Sequence, residues 1–217
     1  AEALEFRARC KVFGTTAAQT SKTKNRQDVA TVQSPLPSNL WQRVVLIGAS
    51  ATSGMQDPNS SSGLSYYGIQ PYLDAALLGP HETVRNLGNR LFFFSPEPMG
   101  KRQVTGALKV APSLVVGVDF LFWYCYGAVP EEEERLRRLD RGLAELETLK
   151  CPVVVGDIPD ASGAAHGMLS PIQIPLRKTI ESANKRIKAW AAAREQTAVI
   201  ELARFMRAAA KNDTIKI

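Results

Sequence analysis

The feature that most constrains this chain is an alternation of short, mostly apolar runs with longer segments of helical period. The runs are "RVVLIG" at 43–48, "ETVRNLGN" at 82–89, "SLVVGVDFLFWY" at 113–124, "CPVVVGDIP" at 151–159 and "TAVIELA" at 197–203. Strands apolar on both faces belong in a parallel sheet with helices over each side. Between them, "QPYLDAALLG" (70–79) is expected to be a helix with Leu73, Ala76 and Leu77 on one face, closed by Gly79. "QVTGALKVAP" (103–112) predicts another that stops before Pro112. In 130–150, Leu136, Leu139, Leu143, Leu146 and Leu149 repeat at spacings of three and four, and the four glutamates at 131–134 suit a helix start. In 175–195, Leu176, Ile180, Ala183, Ile187 and Trp190 predict a further amphipathic helix, and a short helical tail ends the chain. The pattern predicts a flavodoxin-like α/β fold, three layers (α/β/α) around a parallel sheet of about five strands.

Residues 1–13 read as a short helix or strand. From Gly14 to Asn39 the composition turns to Thr, Ser, Gln, Ala, Lys and Pro, too poor in apolar surface to repay ordering. Residues 1–40 are therefore expected to be a partly disordered arm, and 41–217 the folded domain. The chain has 217 residues and 45% hydrophobic content, enough for one real core.

Composition excludes some function classes. No apolar run approaches the roughly 18 residues of a membrane span; the longest, 114–127, carries Asp119 and reads as a buried strand. The sequence begins with Ala1, so removal of an initiator Met or a targeting segment leaves the compartment open between cytoplasm and export. The net charge is +6, but bases and acids are interleaved except in "SKTKNRQ" at 21–27, so nucleic acid is not the expected partner. Cys10, Cys125 and Cys151 are widely spaced, which argues against zinc and a disulfide framework. No cofactor or metal is implied; Asp157 and Asp160 read as a turn and a helix cap.

In such a sheet, ligands bind beyond the carboxyl ends of the strands. Gly48-Ala49-Ser50, Asn86-Leu87-Gly88-Asn89, Gly117-Val118-Asp119 and Gly156-Asp157, with Asp160 and His166 beyond, would gather at that rim. Ser50 is either a nucleophile at a strand end or a turn hydroxyl, and Gly88 either a donor or a tight-turn glycine.

"VVLIGASATSGM" resembles the first block of the SGNH, or GDSL-type, hydrolases, where Gly-Asp-Ser ends the first strand. "VRNLGN" resembles their second block, and "LVVGVDFLFWYCYG" stands where their third, Gly-x-Asn-Asp, would be. The resemblance runs from about Arg43 to Leu202. It implies hydrolysis of a small ester or acylated substrate through an acyl-enzyme on Ser50. The backbone N–H groups of Ser50 and Gly88, with the residue at 119, would form the oxyanion hole, and a histidine oriented by an Asp would take the serine proton.

The sequence departs from that pattern at three places. Ala49 replaces the Asp beside the nucleophile. Asp119 replaces the Asn donor, and an ionised carboxylate only accepts, so it must be protonated, turned away or damaging to the hole; restoring Asn is expected to raise any activity. The Asp-x-x-His block after the last strand is absent, which implies a domain shortened at its C-terminus. His166 is the substitute-base candidate, because His81 precedes the second strand and falls at the opposite rim. The alternatives are an inactive relative that binds an acyl or glycan ligand, and an unrelated flavodoxin-like interaction module. Sequence does not define the oligomeric state.

Overall fold

The computed structural model describes residues 37–56, 66–165 and 169–211. Five parallel strands form the sheet: β1 (Val44–Leu46), β4 (Arg85–Asn86), β5 (Leu114–Gly117), β6 (Val153–Gly156) and β7 (Thr197–Ile200). Their spatial order is β4-β1-β5-β6-β7, the flavodoxin-like order expected from the alternation. A two-strand antiparallel ribbon, β2 (Met55–Gln56) with β3 (Tyr66–Tyr67), stands apart from it.

The helices are α1 (Ser50–Ser53), α2 (Ile69–Ala76), α3 (Pro96–Leu108), α4 (Phe122–Cys125), α5 (Glu132–Glu147), α6 (Arg177–Ala192) and α7 (Leu202–Lys211). Successive strand residues point to opposite faces, and both faces are covered. Val44, Leu46, Leu114 and Val116 meet Ile69, Leu73 and Leu77 of α2 and its end. Val45, Ile47, Val115, Val153 and Val155 meet α3, α5 and α6 through Val104, Leu139, Leu143, Ile180 and Ile187. This is the three-layer arrangement.

Four local expectations need correction. The third strand ends at Gly117 rather than running through Tyr124; Phe120 and Tyr124 leave the sheet and pack edge-on and tilted around Phe92 in the core. Helix α3 begins at Pro96, well before Gln103, because a proline at the first helical position lacks only an N–H that would be unpaired there. Helix α2 ends at Leu77, whose N–H bonds to Leu73, before Gly79 is reached. Leu176 is exposed, since it is the extended residue that caps α6 and does not share its buried face. The expectation for residues 1–13 lies outside the described residues.

Candidate functional site

Strand order reverses between β1 and its two neighbours, so the turns after β1, β4 and β5 converge at one rim. Gly48 ends the first run with φ +147°, and a Cβ there would stand 2.1 Å from Asp119 Oδ1. Only glycine permits both that backbone and that approach. Gln103, reaching up from α3 and 5% exposed, pairs with Gly48 in both directions. Its Oε1 accepts the Gly48 N–H at 2.7 Å, and its Nε2 donates to the Gly48 carbonyl at 2.9 Å. The chain is thus pinned immediately before Ser50.

Immediately after it, Asp119 does the pinning. Oδ1 accepts from Ala49 N–H at 3.0 Å and from the Thr52 hydroxyl at 2.5 Å. Oδ2 accepts from Ala51 N–H at 2.8 Å and Thr52 N–H at 3.4 Å. A carboxylate at the start of a helix satisfies N–H groups that have no partner within it. Among the described residues no acceptor reaches the N–H of Ser50, and no partner reaches its half-buried hydroxyl. Asp119 is therefore turned into the Ser50 turn. Both its oxygens are occupied as acceptors, so the donor role implied for position 119 is not available to the ionised side chain.

Gly88 is packed against the same turn: a Cβ there would lie 2.8 Å from Thr52 Cγ2 and 2.9 Å from Ser53 N. Its N–H donates to Asn86 Oδ1 at 2.9 Å, while Asn86 Nδ2 donates to the Thr52 carbonyl at 2.9 Å. Asn89 N–H closes the link by donating to Gly48 O at 3.0 Å. Ser50, Gly88 and Asp119 are thus brought together, although the Gly88 N–H is already engaged.

The remaining candidates separate from this cluster. His166 lies outside the described residues. Asp157 is buried, and its Oδ1 accepts the Ala203 N–H at 2.8 Å, capping α7. Asp160 Oδ1 accepts Ser162 N–H at 2.9 Å, a local turn. His81, at the amino-terminal side of β4, bonds through Nδ1 to the Gly79 carbonyl at 2.8 Å and stands 3.5 Å from Asp74. Among the described residues no cluster of three metal-ligating side chains occurs.

Sequence reasoning missed Gln103 and Arg135. Arg135 is 2% exposed and donates to the carbonyls of Cys125 at 2.9 Å, Gly127 at 3.0 Å and Ile172 at 2.7 Å, tying the loops after β5 and β6 together. A hint for Gln103 was its place on the apolar face of α3, where an uncharged polar side chain needs a buried partner. Two surface recesses touch the supports of the Ser50 turn. One of about 500 Å³ runs along β4 by Arg43, Glu82 and Asn86. The other, about 230 Å³, lies between Asn89, Arg102 and Gln103.

No protein-family model and no curated protein sequence matches this chain. Solved structures do. A lipase/acylhydrolase from Enterococcus faecalis aligns with a TM-score of 0.53 at 20% identity, over 77% of this chain and 79% of that one. An acetyl xylan esterase from Geobacillus stearothermophilus aligns with a TM-score of 0.47 at 15% identity, over 74% and 76%. At these identities the likeness concerns the backbone alone. The chain has the fold of that lipase/acylhydrolase, the three-layer α/β/α arrangement that its sequence pattern predicts.

Proposed function

We propose that the chain hydrolyses small carboxylic esters through an acyl-enzyme on Ser50. The observation that carries this reading is selective: Asp119 engages the N–H groups of Ala49, Ala51 and Thr52 but not that of Ser50, which has no acceptor among the described residues. An N–H and a hydroxyl on one residue, both without a partner among the described residues, are the arrangement a serine nucleophile needs, because the oxyanion forms beside it. The similar fold of a lipase/acylhydrolase supports the same chemistry.

In the proposed reaction Ser50 Oγ attacks the ester carbonyl and its proton passes to a base, for which His166 is the candidate. The Ser50 N–H donates to the developing oxyanion. Collapse expels the alcohol, which takes the proton back from the base. Water activated by the same base then frees the acid and restores Ser50. Gly88 would donate as a second group once its N–H is released by Asn86.

A second reading is a non-catalytic domain that binds an acyl or glycan ligand at this rim. It is favoured by the engaged Gly88 N–H and by a carboxylate at 119, which would oppose a nearby oxyanion. The two readings part in one experiment. The purified chain is incubated with a fluorophosphonate probe and with p-nitrophenyl acetate, alongside Ser50→Ala and His166→Ala. Labelling that maps to Ser50, with turnover lost in both variants, supports the hydrolase. Turnover unchanged in Ser50→Ala removes Ser50 as nucleophile, and no labelling or turnover in the parent chain favours the binding domain.

A further inference from the structure

Two exposed large apolar side chains of the described residues belong to one turn beside Ser50. The 3-10 turn Arg90–Phe94 packs against α1, and it leaves Leu91 54% and Phe94 73% exposed. Phe93 lies between Phe94 and Trp123, with ring centroids 4.1 and 5.5 Å away, so the exposed ring rests on a rigid aromatic base. Exposed apolar groups fixed in one place mark a contact surface more strongly than isolated ones do.

The charges around this corner are positive. Lys101 and Arg102 are exposed on α3 and have no carboxylate partner among the described residues; Arg102 donates to the thioether of Met99. Arg102 and Asn89 line the same recess, which places that guanidinium beside the turn. Glu97, the acid in the first turn of α3, is already paired with Arg141. With a helical rise of about 1.5 Å per residue, Lys101 and Arg102 stand about 8 Å behind Pro96, which follows the aromatic turn. Interfacial segments bury their apolar side chains roughly 5–10 Å into the boundary between headgroups and acyl chains. With α3 along the membrane normal, cations set back by that distance would be level with lipid phosphates.

We propose that this corner docks the chain on an anionic phospholipid surface, with Leu91 and Phe94 inserted and Lys101 and Arg102 at the phosphates. A symmetric contact with a second copy would set these cations against themselves, whereas an anionic surface complements them. No described helix is long and apolar enough to cross a membrane, so the described residues would attach peripherally. The Ser50 turn would then face the lipid. The docking itself does not depend on Ser50 being reactive.

The test is co-sedimentation of the full chain with vesicles of phosphatidylcholine alone and of phosphatidylcholine with phosphatidylglycerol in equal parts. Binding is expected only to the anionic vesicles. It should fall about tenfold in Lys101→Glu/Arg102→Glu and in Leu91→Ser/Phe94→Ser, with unchanged thermal midpoints, while Ser50→Ala sediments like the parent. Equal partition to both vesicle types, no binding to either, or unaltered binding by the two double variants would overturn the proposal. Light scattering in which Leu91→Ser/Phe94→Ser breaks a dimer, without vesicle binding in the parent, would overturn it in favour of a second copy.

Discussion

Asp119 Oδ2 accepts the Ala51 N–H at 2.8 Å, joining the turn after β5 to the turn after β1 across the point where strand order reverses. This bond and its three companions do for the Ser50 turn what no residue of the turn itself does. The residue before Ser50 is alanine, and α1 has no side-chain cap of its own. The carboxylate therefore serves the backbone that presents Ser50.

That placement reverses the expectation that asparagine at 119 would raise activity. An asparagine offers one acceptor oxygen where the carboxylate offers two, and its NH₂ would face N–H donors. Asp119→Asn is expected to cost about 2 kcal/mol, the scale of charge-assisted hydrogen bonds lost in a half-buried site. The denaturation midpoint in urea reads this, and fluorophosphonate labelling of Ser50 should slow in parallel. Faster labelling in Asp119→Asn would mean that the amide has turned outward to act as a donor.

Gln103→Leu removes the other pin. The side chain is buried and spends both amide atoms on Gly48, so leucine would strand the Gly48 N–H, while the Gly48 carbonyl keeps the Asn89 N–H at 3.0 Å. A loss of about 1–3 kcal/mol is expected, from one buried N–H left without an acceptor. Gln103→Glu should not rescue it, because an oxygen would then meet the Gly48 carbonyl. Equal midpoints for parent and Gln103→Leu in urea denaturation would show that water replaces the amide.

The alternation of apolar runs made the sheet legible because a strand buried on both faces has no polar side to disguise it; Val44 to Ile47 are all buried. The leucine stripe of α5 was legible for the same reason, with Leu139 and Leu146 fully enclosed. The aromatic run after Val116 was not, since Phe120 and Tyr124 suit a strand as well as the packed helical turn they form. At the rim, Ser50, Gly88 and Asp119 were found by their positions at strand ends, but hydrogen-bond direction is invisible in sequence. Nothing in "GVDF" says that Asp119 turns inward to four donors, nor does "KRQVTG" say that Gln103 reaches Gly48.

Stability is expected to fall at alkaline pH. Burial pushes the Cys125 thiol up to about 12, against an ordinary value of 9.0, and raises the phenols of Tyr124 and Tyr126 well above 10.0. These groups stay neutral in the folded chain while the unfolded chain ionises, so stability is whole below about pH 9 and is lost as pH climbs above it. Each group contributes up to about 1.4 kcal/mol per pH unit in its window. Urea midpoints between pH 8 and pH 11 read the slope, and a flat profile would mean that these side chains reach solvent in the folded state. Iodoacetamide should likewise spare Cys125 in the native chain at pH 8 and modify it once urea is added.

Tyr124 also explains why two helices carry glycine where they meet it. Its ring lies against Gly142 of α5, where a Cβ would stand 2.9 Å from the nearest ring carbon, and its hydroxyl would be 2.0 Å from a Cβ at Gly100 of α3. That hydroxyl is buried and has no hydrogen-bond partner among the described residues. Gly100→Ala is therefore expected to destabilise by about 1–3 kcal/mol through overpacking, outweighing the gain of up to ~1 kcal/mol that alanine brings to a helix interior. Tyr124→Phe alone should be neutral or stabilising by about 1 kcal/mol, since it removes an unsatisfied polar group from the core. The two changes touch the same atoms, so they should not add: Gly100→Ala should cost distinctly less in the Tyr124→Phe background. A double-mutant cycle from urea midpoints measures the coupling. Strict additivity would mean that the hydroxyl is not what alanine meets, and that α3 shifts as a body instead.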